Sequence, residues 1–144
     1  MKIRCLFLLA VLAGCGGIKS RVEEGRIQTV INQKPSARSF FEVIGIGASD
    51  PTLPTDTQRR ALARDAAIVK AQYELISLVK GVSLDGGVKV SKAMAADSLL
   101  EARVRDSIKG AEVLKCEFTD DGGCVVTMRL PKTALEDAIG ARLP

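Results

Sequence analysis

Residues 40–48, FFEVIGIGA, are the first strong structural signal in this chain. Large apolar side chains that run into Gly45 and Gly47 predict a buried strand. A glycine pair after a strand also suggests a nucleotide-binding turn, but that fingerprint needs a third glycine where Asp50 stands and a helix that begins at once. We therefore interpret the glycines as a close-packed strand end, followed by a proline-containing loop over 49–54.

The next segment predicts a long helix. Thr55 and Gln58 match a capping box, and the helical pattern continues to about Lys80, just before Gly81. Apolar side chains repeat at helical spacing and predict an apolar face: Leu62, Ala66, Val69, Tyr73 and Ile76. Neighbouring alanines keep the helix surface thin, which suits close packing on a sheet: Ala61, Ala63, Ala67 and Ala71.

After the long helix, residues 82–84 and 88–91 predict a strand pair or an interrupted strand, and residues 96–109 predict a second helix. Residues 112–118 and 124–130 predict the two strands of a hairpin, and a final helix is expected from 133 onward. In the second helix four side chains are expected to face inward: Leu99, Leu100, Val104 and Ile108. A second capping box, Thr133 with Glu136, is expected to start the final helix. This order predicts an α+β domain, with the long helix and one or two shorter helices on one face of a mostly antiparallel sheet.

The N-terminus carries the signal of an exported lipoprotein. Lys2 and Arg4 precede an apolar run that is too short to cross a bilayer, which takes about 20 apolar residues. Residues 12–15, LAGC, match a lipobox, in which the Cys15 thiolate receives a diacylglycerol and cleavage occurs before it. We predict three regions: a cleaved signal peptide at 1–14, a lipid-anchored polar tether at 15–39 and a single domain at 40–144.

Gly16 indicates the destination of the anchored protein. In many Gram-negative bacteria an aspartate after the lipidated cysteine retains a lipoprotein at the inner membrane, so Gly16 favours the outer membrane. Two or three acyl chains anchor stably where one anchors only marginally. The sequence leaves open whether the domain faces the periplasm or the cell surface.

Composition limits the classes of function. Loss of Lys2 and Arg4 with the signal leaves 19 basic and 17 acidic side chains, and the resulting charge of +2 does not indicate a nucleic-acid partner. The chain has no histidine, which excludes His-based triads and His-containing metal sites. Only two cysteines lie beyond the lipobox, too few to complete a zinc site. We therefore expect no metal and no cofactor apart from the covalent lipid.

Cys116 and Cys124 flank the predicted hairpin turn. With 120–122 as the loop, Phe118 faces Cys124 and Cys116 faces Val126, so the two thiols are diagonal neighbours on the apolar face. Diagonal neighbours lie about 7–8 Å apart, against a usual ceiling of about 6.8 Å for the Cα atoms of a disulfide. A shift of one step in the turn would place them opposite each other. The sequence leaves two alternatives, a disulfide or two small buried thiols.

Two other motifs invite a functional interpretation. Arg59, Arg60 and Arg64 place positive charge on the outer face of the long helix, where they could bind anionic lipid or cell-wall polymer, although most such faces are merely solvated. Ser77 and Lys80 match the S-x-x-K pattern of penicillin-binding enzymes. Ser77 lies in the last turns of its helix rather than at a helix start, and the middle motif is missing, so we expect no catalytic residues and no enzyme.

Several segments together resemble the Lpp-twenty lipoprotein family: GIGA at 45–48, RALARDAA at 60–67, LISLVKGV at 75–82, GAEV at 110–113 and VVTM at 125–128. The resemblance covers about 90 residues and implies an α+β domain on a lipid anchor, without known catalysis. The family includes a Helicobacter surface antigen, flagellar lipoprotein P and the N-terminal domain of flagellar H-ring protein T, of which the last two build rings at the outer membrane. This chain has one such domain, so the full H-ring role is not implied.

The leading hypothesis is a non-enzymatic outer-membrane lipoprotein that acts by self-association or by binding envelope or flagellar proteins. Flagellar ring assembly is its most specific version. The main alternative is an envelope adaptor that binds anionic lipid or cell-wall polymer through the basic helix face. A third hypothesis, an envelope hydrolase that uses Ser77, is the least supported by the sequence.

Overall fold

The computed structural model describes residues 18–28, 36–84 and 86–143. The predicted signal peptide and Cys15 lie outside these residues. The described chain forms five strands and four helices: β1 (Val22–Glu23), β2 (Arg26–Ile27), β3 (Phe40–Gly47), α1 (Asp56–Lys80), α2 (Val90–Ala96), α3 (Ser98–Lys109), β4 (Glu112–Phe118), β5 (Cys124–Pro131) and α4 (Lys132–Ile139).

The main sheet has three antiparallel strands in the order β3-β5-β4, with β5 in the centre. β1 and β2 form a separate two-stranded sheet. The long helix α1 packs on one face of the main sheet, mainly against β3 and β5. The predicted α+β class, with an antiparallel sheet and helices against it, is confirmed.

The closest packing in the fold joins β3 to α1. A Cβ atom at Gly45 would lie 1.9 Å from the carbonyl oxygen of Ala67, and one at Gly47 would lie 1.9 Å from that of Ala63. The two glycines therefore let the helix backbone rest directly on the strand. This geometry agrees with the interpretation of the glycine pair as a strand end that packs closely.

Helix α1 buries its alanine face rather than the apolar stripe that its periodicity emphasised. The buried residues follow one another at a spacing of four: Ala63, Ala67, Ala71, Leu75 and Val79. Leu62, Val69 and Tyr73 are exposed instead, while Ile76 packs at the edge of the core. A glycine-containing strand admits only small side chains at the closest approach, so the less hydrophobic face is the one that fits.

Two local expectations beyond α1 were right only in part. Residues 82–84 and 88–90 pair antiparallel through the Ser83–Lys89 bridge and two backbone hydrogen bonds, but they form no regular strand, and α2 begins at Val90, which is fully buried in the core. In α3, Val104 and Ile108 face inward as expected, but Leu99 is 59% exposed. The core on this side also receives side chains from β3, β5 and α4, among them Phe41, Met128, Leu130 and Leu135.

The two predicted capping boxes have different outcomes. Thr55 caps α1: its hydroxyl oxygen accepts a hydrogen bond from the Gln58 backbone N–H at 3.2 Å. Helix α4 begins one residue earlier than expected, at Lys132, and has no side-chain cap. Glu136 accepts a hydrogen bond from the Leu143 backbone N–H and holds the C-terminal end instead.

Residues 18–28 lie within the predicted tether, yet they pack on the face of the sheet opposite α1. Arg21 is only 6% exposed, and its backbone N–H donates to Glu117 of β4 at 2.8 Å. The Gly25 carbonyl oxygen accepts from the Asp120 backbone N–H at 2.9 Å. This part of the predicted tether is therefore folded. None of the helices in the described residues is long and apolar enough to cross a membrane.

Candidate functional site

The most prominent surface feature is a row of apolar side chains along α1. Leu62, Val69 and Tyr73 are 46%, 65% and 62% exposed, and the small Ala66 lies exposed between them. These four residues repeat at helical spacing on the side away from the buried alanines. We name them the α1 stripe. Scattered exposed apolar residues need no explanation, but a contiguous row indicates a contact surface.

The charged residues beside the α1 stripe are paired within the helix. Lys70 contacts Glu74 at 2.8 Å, four residues along the helix, and Asp65 contacts its neighbour Arg64 at 3.5 Å. The ammonium group of Lys70 also lies 5.3 Å from the centre of the Tyr73 ring. Such exposed pairs add little stability. They do balance the local charge, so the α1 stripe is bordered by a nearly neutral surface rather than by a strong field of one sign.

The three arginines proposed as an anionic-surface site have different surroundings. Arg59 is partly buried, and its Nη1 donates to the Leu53 carbonyl oxygen at 2.9 Å, which holds the loop before α1. Arg60 lies over the Phe118 ring of β4, with its Cζ atom 5.4 Å from the ring centre. Arg64 is half exposed and pairs with Asp65 at 3.5 Å. The arginines share one end of α1, but each also has an intramolecular contact, so anionic-surface binding stays a prediction.

Cys116 and Cys124 lie together between the sheet and α1. The predicted register is present, with Phe118 opposite Cys124 and Cys116 opposite Val126. The two Sγ atoms are only 2.9 Å apart, without a bond between them. Burial, followed by the contact with Cys116, raises the pKa of the Cys124 thiol from 9.0 to about 12, while nearby Arg64 acts in the opposite direction. Cys124 is therefore a protonated, buried thiol at neutral pH.

A cleft of about 510 Å³ lies at the end of the sheet, where the β1–β2 turn meets the β4–β5 turn. Ile27 and Ile46 contribute apolar surface to it, and Asp120 and Asp121 lie at its edge. The hydroxyl of Thr119 and then the Gly123 N–H donate to Asp121, which holds the pKa of this carboxyl below its ordinary 3.8. Asp121 is therefore an ionised turn former rather than a proton donor.

The opposite face of the sheet carries an ion-pair network that the sequence did not predict. Glu42 of β3 contacts Arg129 of β5 at 2.8 Å and Arg21 at 3.5 Å. Glu117 of β4 receives hydrogen bonds from the Ser20 hydroxyl and the Arg21 N–H, and an ion pair from Lys115. Charges at alternating strand positions could have signalled a polar sheet face, but the contacts of Ser20 and Arg21 with Glu117 join residues 97 and 96 positions apart.

The S-x-x-K motif lies at the C-terminal end of α1. Ser77 lies exposed in the last turns of α1, as its position predicted. Among residues 18–28, 36–84 and 86–143, no group of three or more His, Cys, Asp or Glu side chains is placed to hold a metal ion.

No protein-family model, curated protein or solved structure matches this chain. The resemblance to the Lpp-twenty family therefore stays a prediction from the quoted segments.

Proposed function

We propose that this protein is an outer-membrane lipoprotein of the Lpp-twenty type, anchored through Cys15, that acts without catalysis by association with further copies of itself. The lipobox at 12–15 and Gly16 support the anchor and its destination. The α1 stripe carries the second half of the proposal, since it is a continuous apolar surface on the longest helix of the fold. Its side chains would leave water on contact with a partner, which is the main driving force for association.

A second copy of this chain suits the α1 stripe by symmetry. Leu62 and Tyr73 lie equally far from the midpoint of the stripe along the helix, and so do Ala66 and Val69. Two α1 helices that meet antiparallel about a two-fold axis would therefore place Leu62 against Tyr73 of the other copy. Ala66, in the middle, would let the helices approach closely and would receive Val69 of the other copy. An interface of this kind is self-complementary.

The expected association is weak in solution and stronger on a membrane. Stable interfaces bury about 1,200–2,000 Å² in total, more than a four-residue stripe from each copy supplies. A lipid anchor confines the copies to one surface and raises their effective concentration, so weak contacts become populated there. The Lys70–Glu74 and Arg64–Asp65 pairs, of which Lys70 and Asp65 flank the stripe, keep repulsion between copies small.

The test compares Ala66→Glu with Ala61→Glu. Both alanines are exposed on α1, but only Ala66 belongs to the α1 stripe. The lipidated proteins are reconstituted in vesicles at equal density and treated with a lysine-reactive cross-linker. We expect cross-linked dimers for the unchanged protein and Ala61→Glu, and at least a tenfold lower yield for Ala66→Glu. Equal yields from the two variants would exclude the α1 stripe as the interface.

The anchor and the flagellar version have a separate test. Membranes and flagellar basal bodies are purified from the source organism and from a Cys15→Ala strain. Recovery in basal bodies that depends on Cys15 would support an anchored ring component. Recovery in the outer membrane without basal bodies would remove the flagellar role and keep the anchored lipoprotein. A soluble protein in both strains would contradict the anchor.

The adaptor hypothesis remains the alternative, and the half-exposed guanidinium groups of Arg60 and Arg64 are its support. The double variant Arg60→Glu/Arg64→Glu is compared with the unchanged protein for sedimentation with cell-wall polymer and with vesicles that contain anionic lipid. Equal sedimentation would exclude this function. A large loss, with vesicle dimers retained, would favour the adaptor over the self-association proposal.

A further inference from the structure

The thiols of Cys116 and Cys124 meet although their backbones are not directly opposite. The register pairs Cys116 with Val126 and Cys124 with Phe118, so the cysteines are diagonal across β4 and β5. The side chains nevertheless bring the Sγ atoms to 2.9 Å, and a disulfide bond of about 2.05 Å needs them only about 0.9 Å closer. The diagonal register that made a disulfide doubtful from the sequence is therefore not an obstacle in the fold.

The surroundings of the pair favour a bond between these two thiols rather than with another molecule. Cys124 is 1% exposed and belongs to an apolar cluster with Ala63, Ala67 and Val126. Cys116 lies at the margin of this cluster and is partly exposed. An outside reagent can thus reach Cys116 first, while Cys124 is already in contact with it.

We infer that Cys116 and Cys124 form an intramolecular disulfide by exchange with a disulfide donor, such as a thiol oxidase or oxidised glutathione. The Cys116 thiolate attacks one sulfur of the donor, forms a mixed disulfide and releases the other donor sulfur as a thiolate. Cys124 then loses its proton and attacks Sγ of Cys116, which expels the second donor sulfur as a thiolate. The donor gains two electrons, the cysteines lose two, and the two thiol protons pass to solvent.

The second step is expected to be slow unless the remaining donor sulfur is a good leaving group, that is, unless its thiol has a low pKa. The raised pKa of the buried Cys124 thiol leaves little thiolate at neutral pH, and Arg64 offsets this only in part. Once formed, the bond is protected by the same burial, since a reductant must reach sulfurs that lie beneath α1. The disulfide would fasten the edge strand β4 to the central strand β5 beside the β3–α1 contact.

One tryptic peptide reports on the pair. Cleavage after Lys115 and Arg129 releases residues 116–129, which contain both cysteines and neither Cys5 nor Cys15. The full-length protein is purified in detergent under reducing conditions, incubated folded in a glutathione redox buffer, alkylated and digested. We expect the peptide to be lighter by the two thiol hydrogens and to carry no alkyl group. After reduction and a second alkylation, the same peptide should carry two alkyl groups. A peptide alkylated twice at every redox ratio would overturn the inference.

The same peptide isolated from cells, with thiols blocked at lysis, separates this inference from the proposed function. Oxidation in the redox buffer and in cells supports both the disulfide and export, since disulfides persist in an oxidising envelope. Oxidation in the buffer alone supports the disulfide and contradicts export. Cys116→Ser is the matched control: its Cys124 should resist alkylation in the folded protein and form no mixed disulfide. Rapid labelling of Cys124 in this variant would contradict the order of attack.

Discussion

Gly45 of β3 and Ala67 of α1 meet so closely that a Cβ atom on the glycine would lie 1.9 Å from the alanine carbonyl oxygen. The contact involves backbone on both sides, because the backbone N of Ala71 would also lie 2.6 Å from that Cβ atom. A rotamer change cannot relieve either clash. The strand and the helix therefore depend on a position without a side chain.

Gly45→Ala is expected to lower the free energy of unfolding by more than about 3 kcal/mol, because α1 must move away from β3 and overpacking of a core already costs about 1–3 kcal/mol. Urea unfolding followed by circular dichroism measures this change. Gly110→Ala is the control: its φ is −81°, and the nearest atom to the new Cβ, the Ser107 carbonyl oxygen, would lie at an ordinary contact distance of 3.5 Å. A loss for Gly45→Ala no larger than that of the control would contradict the close packing.

Thr55→Ala removes the N-terminal side-chain cap of α1, whereas Thr133→Ala removes a cap of α4 that the sequence predicted and the structure lacks. Thr55 accepts from the Gln58 N–H, so its loss should cost about 1 kcal/mol of unfolding free energy. Thr133 lies inside α4, which has no side-chain cap, so its replacement should change stability by less than about 0.5 kcal/mol. Urea unfolding of both variants measures the difference. Equal losses would mean that α4 is capped by Thr133 after all.

Glu117→Gln is expected to destabilise the fold in a pH-dependent way. Burial opposes ionisation of Glu117, but hydrogen bonds from Ser20, the Arg21 N–H and Lys115 outweigh it and lower the pKa of this carboxyl below 4.5. Because the pKa is lower in the folded state, the ionised Glu117 carboxylate stabilises the fold at pH values above 4.5. This contribution is lost as the pH falls through the pKa of the folded state. The variant should therefore be about 1 kcal/mol less stable at neutral pH and approach the unchanged protein in acid.

The measurement for Glu117 is urea unfolding over a pH series from neutral to below 4.5. Glu112→Gln is the control, because Glu112 lies exposed on the same strand and should show almost no effect. A difference for Glu117→Gln that stayed constant through the acid range would indicate that packing, rather than the ionised carboxylate, accounts for its contribution.

Local signals predicted the parts of this fold that adjacent residues determine. Phe40–Gly47, the capped start of α1 and the register around Cys116 follow from side chains within a few positions of one another. The strand prediction for 88–91 is right only up to Lys89: the local pairing with 82–84 forms, whereas burial of Val90 and Met94 in the core favours a helix from Val90 onward. Tertiary packing overrides propensity in so short a segment.

The candidate surfaces depended more on distant contacts. Periodicity identified the α1 stripe, and the alanines suggested close packing on a sheet. That Ala63, Ala67 and Ala71 make this contact depends on the glycines of β3, which lie on another element. The placement of residues 18–28 rests on Glu42 and Glu117, far along the chain, and no local pattern predicts such contacts. For the cysteines, the register was predictable and the approach of the two sulfurs was not.

Leu75→Ala and Val69→Ser test which face of α1 is buried. Leu75 is fully buried between α1 and the sheet, so its truncation should leave a cavity and cost about 2–5 kcal/mol of unfolding free energy. Val69 is 65% exposed in the α1 stripe, so the polar replacement should change the stability of the dilute monomer by less than about 0.5 kcal/mol. The same replacement should reduce dimer cross-linking on vesicles. Urea unfolding of each variant is measured at low protein concentration. A large loss of unfolding free energy for the dilute Val69→Ser monomer would place the α1 stripe in the core. A small loss with undiminished cross-linking would confirm the helix packing but exclude Val69 from the interface.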